Sequence, residues 1–264
     1  MKRRCLVLLL SATINPGQVI MVKRKDPKRR LKDYLQALEK WSRVPAFDSI
    51  IFCENSGADI SSLRKMAAHL PGAHERIRFI SFQGNAFPPA LGKGYGEMEI
   101  LKHATSQLGL DRKILLIKAT GRYVVRNIDD VLDHIHSHPE YEVYCNVDRD
   151  GVFASSAAFA TSLDFLEKYL FPLHQRINDS VGVYFEHVLA QAIRTAAADG
   201  MRWTSWPGPL QLSGVSGTSN KAYGGPADKI AEFRMWLLER TYQIRRLLGL
   251  YRRGRKPAPH PLSD

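Results

Sequence analysis

Cysteine is scarce in this chain. The three in 264 residues, Cys5, Cys53 and Cys145, lie far apart, each inside an apolar run. An odd, dispersed set excludes a disulfide scaffold and offers no metal-ligand spacing, so reduced, buried thiols are expected. No apolar stretch approaches the ~18 uninterrupted residues of a membrane span. The run Cys5–Leu10 behind Met1-Lys2-Arg3-Arg4 is shorter than the ~7–15 residue core of a secretory leader, so it reads as a first strand in a cytoplasmic protein. Low-complexity tracts and internal repeats are also missing, which excludes solenoids and disordered linkers. Two signatures fail on residue identity. A Walker loop would need Gly at 87 and Ser or Thr at 94, where Phe87 and Gly94 stand, and Gly214-Val215-Ser216 runs on into Gly217-Thr218 without the x-Gly of a serine-hydrolase elbow.

What is present is a globular balance, 44% hydrophobic and 24% charged, with a formal net charge of +12. That excess calls for a polyanionic neighbour: nucleic acid, anionic lipid or the phosphates of a substrate. One basic cluster, Lys23 to Arg30, precedes a helical pattern. A second, Arg240 to Lys256, is interleaved with Ile230, Phe233, Trp236, Leu237, Leu247, Leu248 and Leu250 at helical spacing. Residues 227–264 are therefore expected to form a basic amphipathic helix and tail that either lies peripherally on an anionic membrane or docks on the domain formed by residues 1–226.

Strand-like runs at Cys5–Ile14, Ser49–Cys53, Arg78–Phe82, Lys113–Lys118, Tyr141–Val147 and Met201–Trp206 alternate with helical patterns. The helices are expected at Arg30–Trp41, Ser61–His69, Tyr95–Leu108, Ile128–His136, Ser162–Tyr169 and Gly182–Ala198. This alternation predicts one α/β domain of Rossmann type, a mostly parallel sheet covered by helices, with its ligand beyond the carboxyl ends of the strands.

The predicted strand ends turn polar. Thr13 and Asn15 close the first, and Glu54, Asn55 and Ser56 the second; such side chains hydrogen-bond a base and ribose, or else form turns and caps. Lys93, Gly94, Tyr95 and Gly96 open a helix whose N-terminus is suited to phosphate, with Glu97 read as a first-turn residue facing the helix dipole. The fourth strand ends Lys118-Ala119-Thr120-Gly121-Arg122. Lysine in an apolar strand requires either an internal carboxylate or a bound anion; a diphosphate would account for Lys118 and Arg122 together.

Taken together, Thr13-Ile14-Asn15-Pro16, Glu54-Asn55-Ser56-Gly57, Gly92-Lys93-Gly94-Tyr95-Gly96-Glu97 and Lys118-x-Thr120-Gly121-Arg122-Tyr123 resemble small bacterial glycosyltransferases of polysaccharide and lipopolysaccharide clusters. The resemblance covers roughly residues 5–225 and implies a GT-A-like fold, a nucleotide-sugar donor and a glycan or lipid-linked glycan acceptor. It also implies Glu186 as the base that deprotonates the acceptor hydroxyl, and Ser216, Gly217 and Thr218 as part of a small, polar and flexible loop, Leu212–Gly225, near the nucleotide sugar. The family's Asp-x-Asp metal motif does not follow the fourth strand. Its place is taken by Lys118 to Arg122, which favours inverting transfer without a metal cofactor. Asp148 and Asp150 match the motif one strand later as candidate acceptor or metal residues. A nucleic-acid-binding protein that uses the basic C-terminal region, and a noncatalytic scaffold of polysaccharide assembly, are the competing classes.

Overall fold

The computed structural model of the chain describes residues 4–108 and 113–225, with positions 230, 233, 234 and 237 beyond them. The basic helix and tail expected over 227–264 lie outside the described residues but for those four positions. In chain order the elements are β1 (Leu6–Ala12), α1 (Pro27–Ser42), β2 (Ser49–Glu54), α2 (Ser61–His69), α3 (Ala73–Arg76), β3 (Ile77–Ser81) and α4 (Gly92–Leu108). There follow β4 (Leu115–Thr120), β5 (Tyr123–Val125), α5 (Ile128–Ser137), β6 (Val143–Tyr144), β7 (Ala158–Thr161), α6 (Leu163–Phe165), α7 (Phe185–Ala198), β8 (Trp203–Thr204), β9 (Leu212–Val215) and β10 (Ala222–Tyr223).

The mixed α/β architecture matches the expectation. Seven strands order as β3-β2-β1-β4-β7-β6-β8, with β7 antiparallel to both neighbours and the other pairs parallel. β1 is buried on both faces, the signature of a central strand in a parallel sheet. Its alternate residues serve two layers. Leu6, Leu8 and Leu10 pack with Tyr34, Leu38 and Trp41 of α1, whereas Val7 and Leu9 meet Met98 and Leu101 of α4 and Leu189 and Ile193 of α7. α1 starts at Pro27, earlier than its periodicity suggests, because Asp26 caps it by accepting from Lys28 N and Arg29 N at 2.9 and 3.3 Å. No helix among the described residues is long and apolar enough to cross a membrane.

Several local expectations need correction. β7 is a strand in a stretch of small residues that carries little strand signal. The expected helix Ser162–Tyr169 is a single α turn followed by a π turn over Leu166–Leu170 and a 3-10 segment over Phe171–Arg176. The final helix begins at Phe185 because Gly182, at φ +77°, closes a separate 3-10 turn over Asp179–Val181. Leu212–Gly225, read as a flexible loop, instead supplies β9 and β10 to a small antiparallel sheet, order β10-β9-β5. Cys53 and Cys145 are buried as expected, but Cys5 is exposed.

The ends of β1 and β2 are joined by a buried carboxylate. Glu54, 0% exposed, accepts from Ile14 N at 2.9 Å, Ser56 N at 2.9 Å and Ala58 N at 3.2 Å, with the Ser56 hydroxyl also donating to it. These bonds satisfy three backbone amides, that of Ile14 in a fully buried bond, and set the path of residues 13–15. Glu54→Gln turns an amide NH2 toward those donors. It is expected to cost about 1–3 kcal/mol for each N–H left unpaired, read as a loss of stability in urea unfolding with m unchanged.

Candidate functional site

A cleft of about 900 Å³ opens at the carboxyl ends of β1 and β4, where the strand order reverses between β2 on one side and β4 on the other. Of the residues expected at the site, Thr13, Lys93, Thr120, Arg122, Asp148, Glu186, Ser216, Gly217 and Thr218 line it. Arg30, Tyr34, Glu97, Phe153, Ser156 and His187 also line it and were not anticipated there.

The remaining expected residues are brought to its supports. Glu54 and Ser56 form the buried latch already described, and Asn15 is held on the exposed side by the Ser56 hydroxyl, 3.0 Å from its amide. Asn55 is fully buried, accepting from Thr13 Oγ1 at 2.6 Å and donating to the Gly96 carbonyl at 3.2 Å. Gly94 and Gly96 let α4 approach its neighbours. A Cβ on Gly94 would sit 2.9 Å from Phe185 Cβ, and one on Gly96 3.1 Å from Asn55 Nδ2. Tyr95 packs against His174 in a tilted arrangement, 4.0 Å between ring centroids. Gly121 allows the close approach of β4 to β1, since a Cβ there would lie 2.9 Å from the Ser11 carbonyl.

The expected phosphate place at the start of α4 is taken by a protein carboxylate. Asp179, nearly buried, lies against that helix start, close enough that a side chain on Gly92 would collide with it, though neither of its oxygens has a hydrogen-bond partner among the described residues. The helix dipole there is answered from within the fold. Glu97 lies in the second turn of α4, past the first-turn dipole position expected of it.

Lys118 is likewise paired internally. It is 0% exposed and forms an ion pair with Glu97, while donating to the Ser156 carbonyl at 2.6 Å. Ser11 Oγ donates to the same Glu97 oxygen at 3.2 Å, and Ser156 Oγ donates to Glu186 Oε1 at 2.7 Å. One connected set of hydrogen bonds thus runs along the cleft floor from β1 to α7. Lys118 meets the internal-carboxylate alternative and does not present its ammonium to the cleft.

The unmatched positive charge sits elsewhere. Arg30 and Arg122, 5% and 7% exposed, lie against the same Tyr34 ring, each with Cζ 5.9 Å from its centroid. Arg30 donates to the carbonyls of Thr13 and Arg24 at 2.6 and 3.1 Å and Arg122 to that of Val215 at 2.6 Å; Arg122 Nε has no partner. Neither guanidinium has a carboxylate within ion-pair distance among the described residues, Asp33 being engaged by Arg24; burial pulls the Arg122 pKa down, but Tyr34, Tyr123 and the charge of Asp33 leave it raised overall. Burial lowers the Arg30 pKa, and the neighbouring Arg122 lowers it further. The sequence did carry a signal for Arg30. It shares the buried stripe of α1 with Tyr34, Ala37, Leu38 and Trp41, at spacings of four, seven, eight and eleven.

Asp148 and Asp150 do not converge. Asp148 Oδ1 accepts from Val152 N and Phe153 N at 2.8 and 3.1 Å, tying its own turn, and Asp150 is exposed beside Arg149. The described residues contain no group of three His, Cys, Asp or Glu side chains that could hold a metal ion.

Burial raises the Asp179 carboxyl to about 6, against the pull of Lys93, and the charge of Glu186 adds to the rise. The folded value lies above the unfolded one of ~3.9, so the stability this group contributes is full below pH ~4 and is lost as pH rises to about 6. Asp179→Asn stays neutral across this range with nearly the same shape. Its melting temperature relative to the wild type is therefore expected to rise between pH 4 and pH 7, measured by thermal unfolding of both proteins in matched buffers.

No protein-family model matches the chain, and no curated protein matches it. Among solved structures, the galactosyltransferase LgtC in complex with donor and acceptor sugar analogs aligns at a TM-score of 0.48 and 12% identity, over 90% of this chain and 94% of that one. A mannosyltransferase from Pyrobaculum calidifontis in complex with GDP-Man and Mn2+ aligns at 0.49 and 10% identity, over 92% of this chain and 65% of that one. The 4-diphosphocytidyl-2C-methyl-D-erythritol synthase from Anaerococcus prevotii aligns at 0.43 and 13% identity, over 88% and 95%.

Proposed function

We propose that the chain is a glycosyltransferase that moves a sugar from a nucleoside-diphosphate sugar to a hydroxyl of a glycan or lipid-linked glycan. The observation that carries this reading is the pair of buried guanidinium groups, Arg30 and Arg122, on one wall of the cleft, neither of which has a carboxylate in ion-pair range among the described residues. Two like charges held close in a low-dielectric wall are costly until an anion joins them, and a planar guanidinium matches phosphate oxygens in two-point contacts. The hydroxyls of Thr120 and Thr218 border the same space and suit the rest of a nucleotide.

Glu186 serves as the base. It enters the cleft from the second residue of α7, with one oxygen held by Ser156. As the acceptor oxygen attacks the anomeric carbon, its proton passes to Glu186, the carbon–oxygen bond to the diphosphate breaks, and the leaving charge falls to Arg30 and Arg122. A single displacement of this kind inverts the anomeric centre. The guanidinium groups take the place of a divalent ion at the leaving diphosphate. Residues 227–264 would bring the domain to an anionic membrane surface where a lipid-linked acceptor resides.

Calorimetric titration with UDP-, GDP- and dTDP-sugars in EDTA, followed by product analysis, tests this reading. One nucleotide sugar is expected to bind. Arg122→Met should weaken it by about tenfold or more, and Glu186→Gln should leave binding intact while lowering kcat roughly 10²- to 10⁴-fold. If no nucleotide sugar binds, or Arg122→Met binds as the wild type does, the reading fails. Salt-sensitive binding of DNA or RNA in its place would move the function to the basic C-terminal region.

A further inference from the structure

Glu97 and Glu186 reach the same cleft from different helices, and their surroundings differ. Glu186 has a single neutral donor, Ser156 Oγ, at 2.7 Å. Glu97 is engaged by the ammonium of Lys118 and by Ser11 Oγ, and both contacts fall on Oε1. Among the described residues nothing donates to Oε2. The two partners also differ in depth: Lys118 is wholly buried, whereas the Glu97 side chain is 19% exposed at the cleft surface. The cation stands behind the carboxylate and fixes it in place. The second oxygen is left as an acceptor whose position those contacts set.

From this asymmetry we propose that Glu97 reads a hydroxyl of the transferred sugar, with Lys118 as the residue that positions it. The inference rests on the transferase reading above. A carboxylate accepts from hydroxyl donors and has no donor to offer a phosphate oxygen, so this side of the cleft fits the sugar, and the Arg30–Arg122 wall fits the diphosphate. Because the charge of Glu97 is already matched by Lys118, it contributes geometry without adding negative charge to the cleft. A donor whose sugar lacks a hydroxyl in reach would leave Oε2 dry and unpaired, which is how a polar site rejects a deoxy analogue.

The test compares each nucleoside diphosphate with its sugar conjugate. UDP and UDP-glucose, GDP and GDP-mannose, and dTDP and dTDP-rhamnose are titrated into the full chain, and the tightest pair is carried into variants. Glu97→Gln is expected to bind the diphosphate as the wild type does and to lose roughly 10- to 100-fold of the affinity that the sugar adds. Glu97→Gln leaves Lys118 without its counter-charge, so Glu97→Gln/Lys118→Met is measured alongside, with thermal unfolding to verify folding, and the same selective loss is expected. An unchanged sugar increment in a folded variant overturns the inference, as does an equal loss for diphosphate and conjugate. If the wild type binds no diphosphate at all, the transferase reading falls first and takes this proposal with it.

Discussion

A buried ammonium on a central strand is the constraint around which the site is arranged. Lys118 occupies a position of β4 whose neighbours in register, Leu9 and Phe159, are apolar. Such a charge can be kept out of water only if its hydrogen-bonding capacity is met inside the protein. Glu97 meets it from α4, and the carbonyl of Ser156 meets it from the segment that leads into β7. The same pairing draws α4 and residue 156 toward β4. Ser156, once placed, orients Glu186. A charge in the core thus organises polar groups that belong to three separate stretches of chain.

The cleft divides into regions of opposite character. One wall carries two guanidinium groups sharing the Tyr34 ring, and the floor carries carboxylates already tied to hydroxyls and to Lys118. The anion site at the start of α4, which a free helix N-terminus would offer, is closed by Asp179. On the proposed reading a diphosphate would therefore meet side chains of α1 and of the turn after β4, with Asp179 standing at the start of α4.

The central sheet and its long helices were legible because their signals are local. Leu6 to Ala12 is continuously apolar, and α1 repeats its buried residues at helical spacing. The small sheet was not legible, because glycine and serine in Leu212–Gly225 look flexible when read singly. Gly214, at φ +135°, in fact has the Arg122 carbonyl where a side chain would be. That a cleft opens at the strand ends also followed from pattern. The roles of its residues did not, for a physical reason. Whether Lys118 faces a ligand or a carboxylate depends on Glu97, a residue of another element that only the fold brings near. The polar residues after β2 turned out to order backbone amides, a use that differs from ligand binding only in three dimensions. Arg30 stood in a run of cations, and only its phase on α1 set it apart.

The wall that holds Gly217 is made from two distant parts of the chain. The Gly217 carbonyl accepts from Lys23 N and Arg24 N at 2.9 and 3.1 Å, and Arg24 reaches Asn220 at 2.9 Å. The segment before α1 is therefore synthesised long before the strands that complete its surroundings. On the ribosome, the large sheet can assemble through β4 while this wall has only one of its halves, and the cleft acquires its final shape when β9 and β10 emerge and join β5. Premature termination in that stretch would leave a folded core with an unfinished cleft.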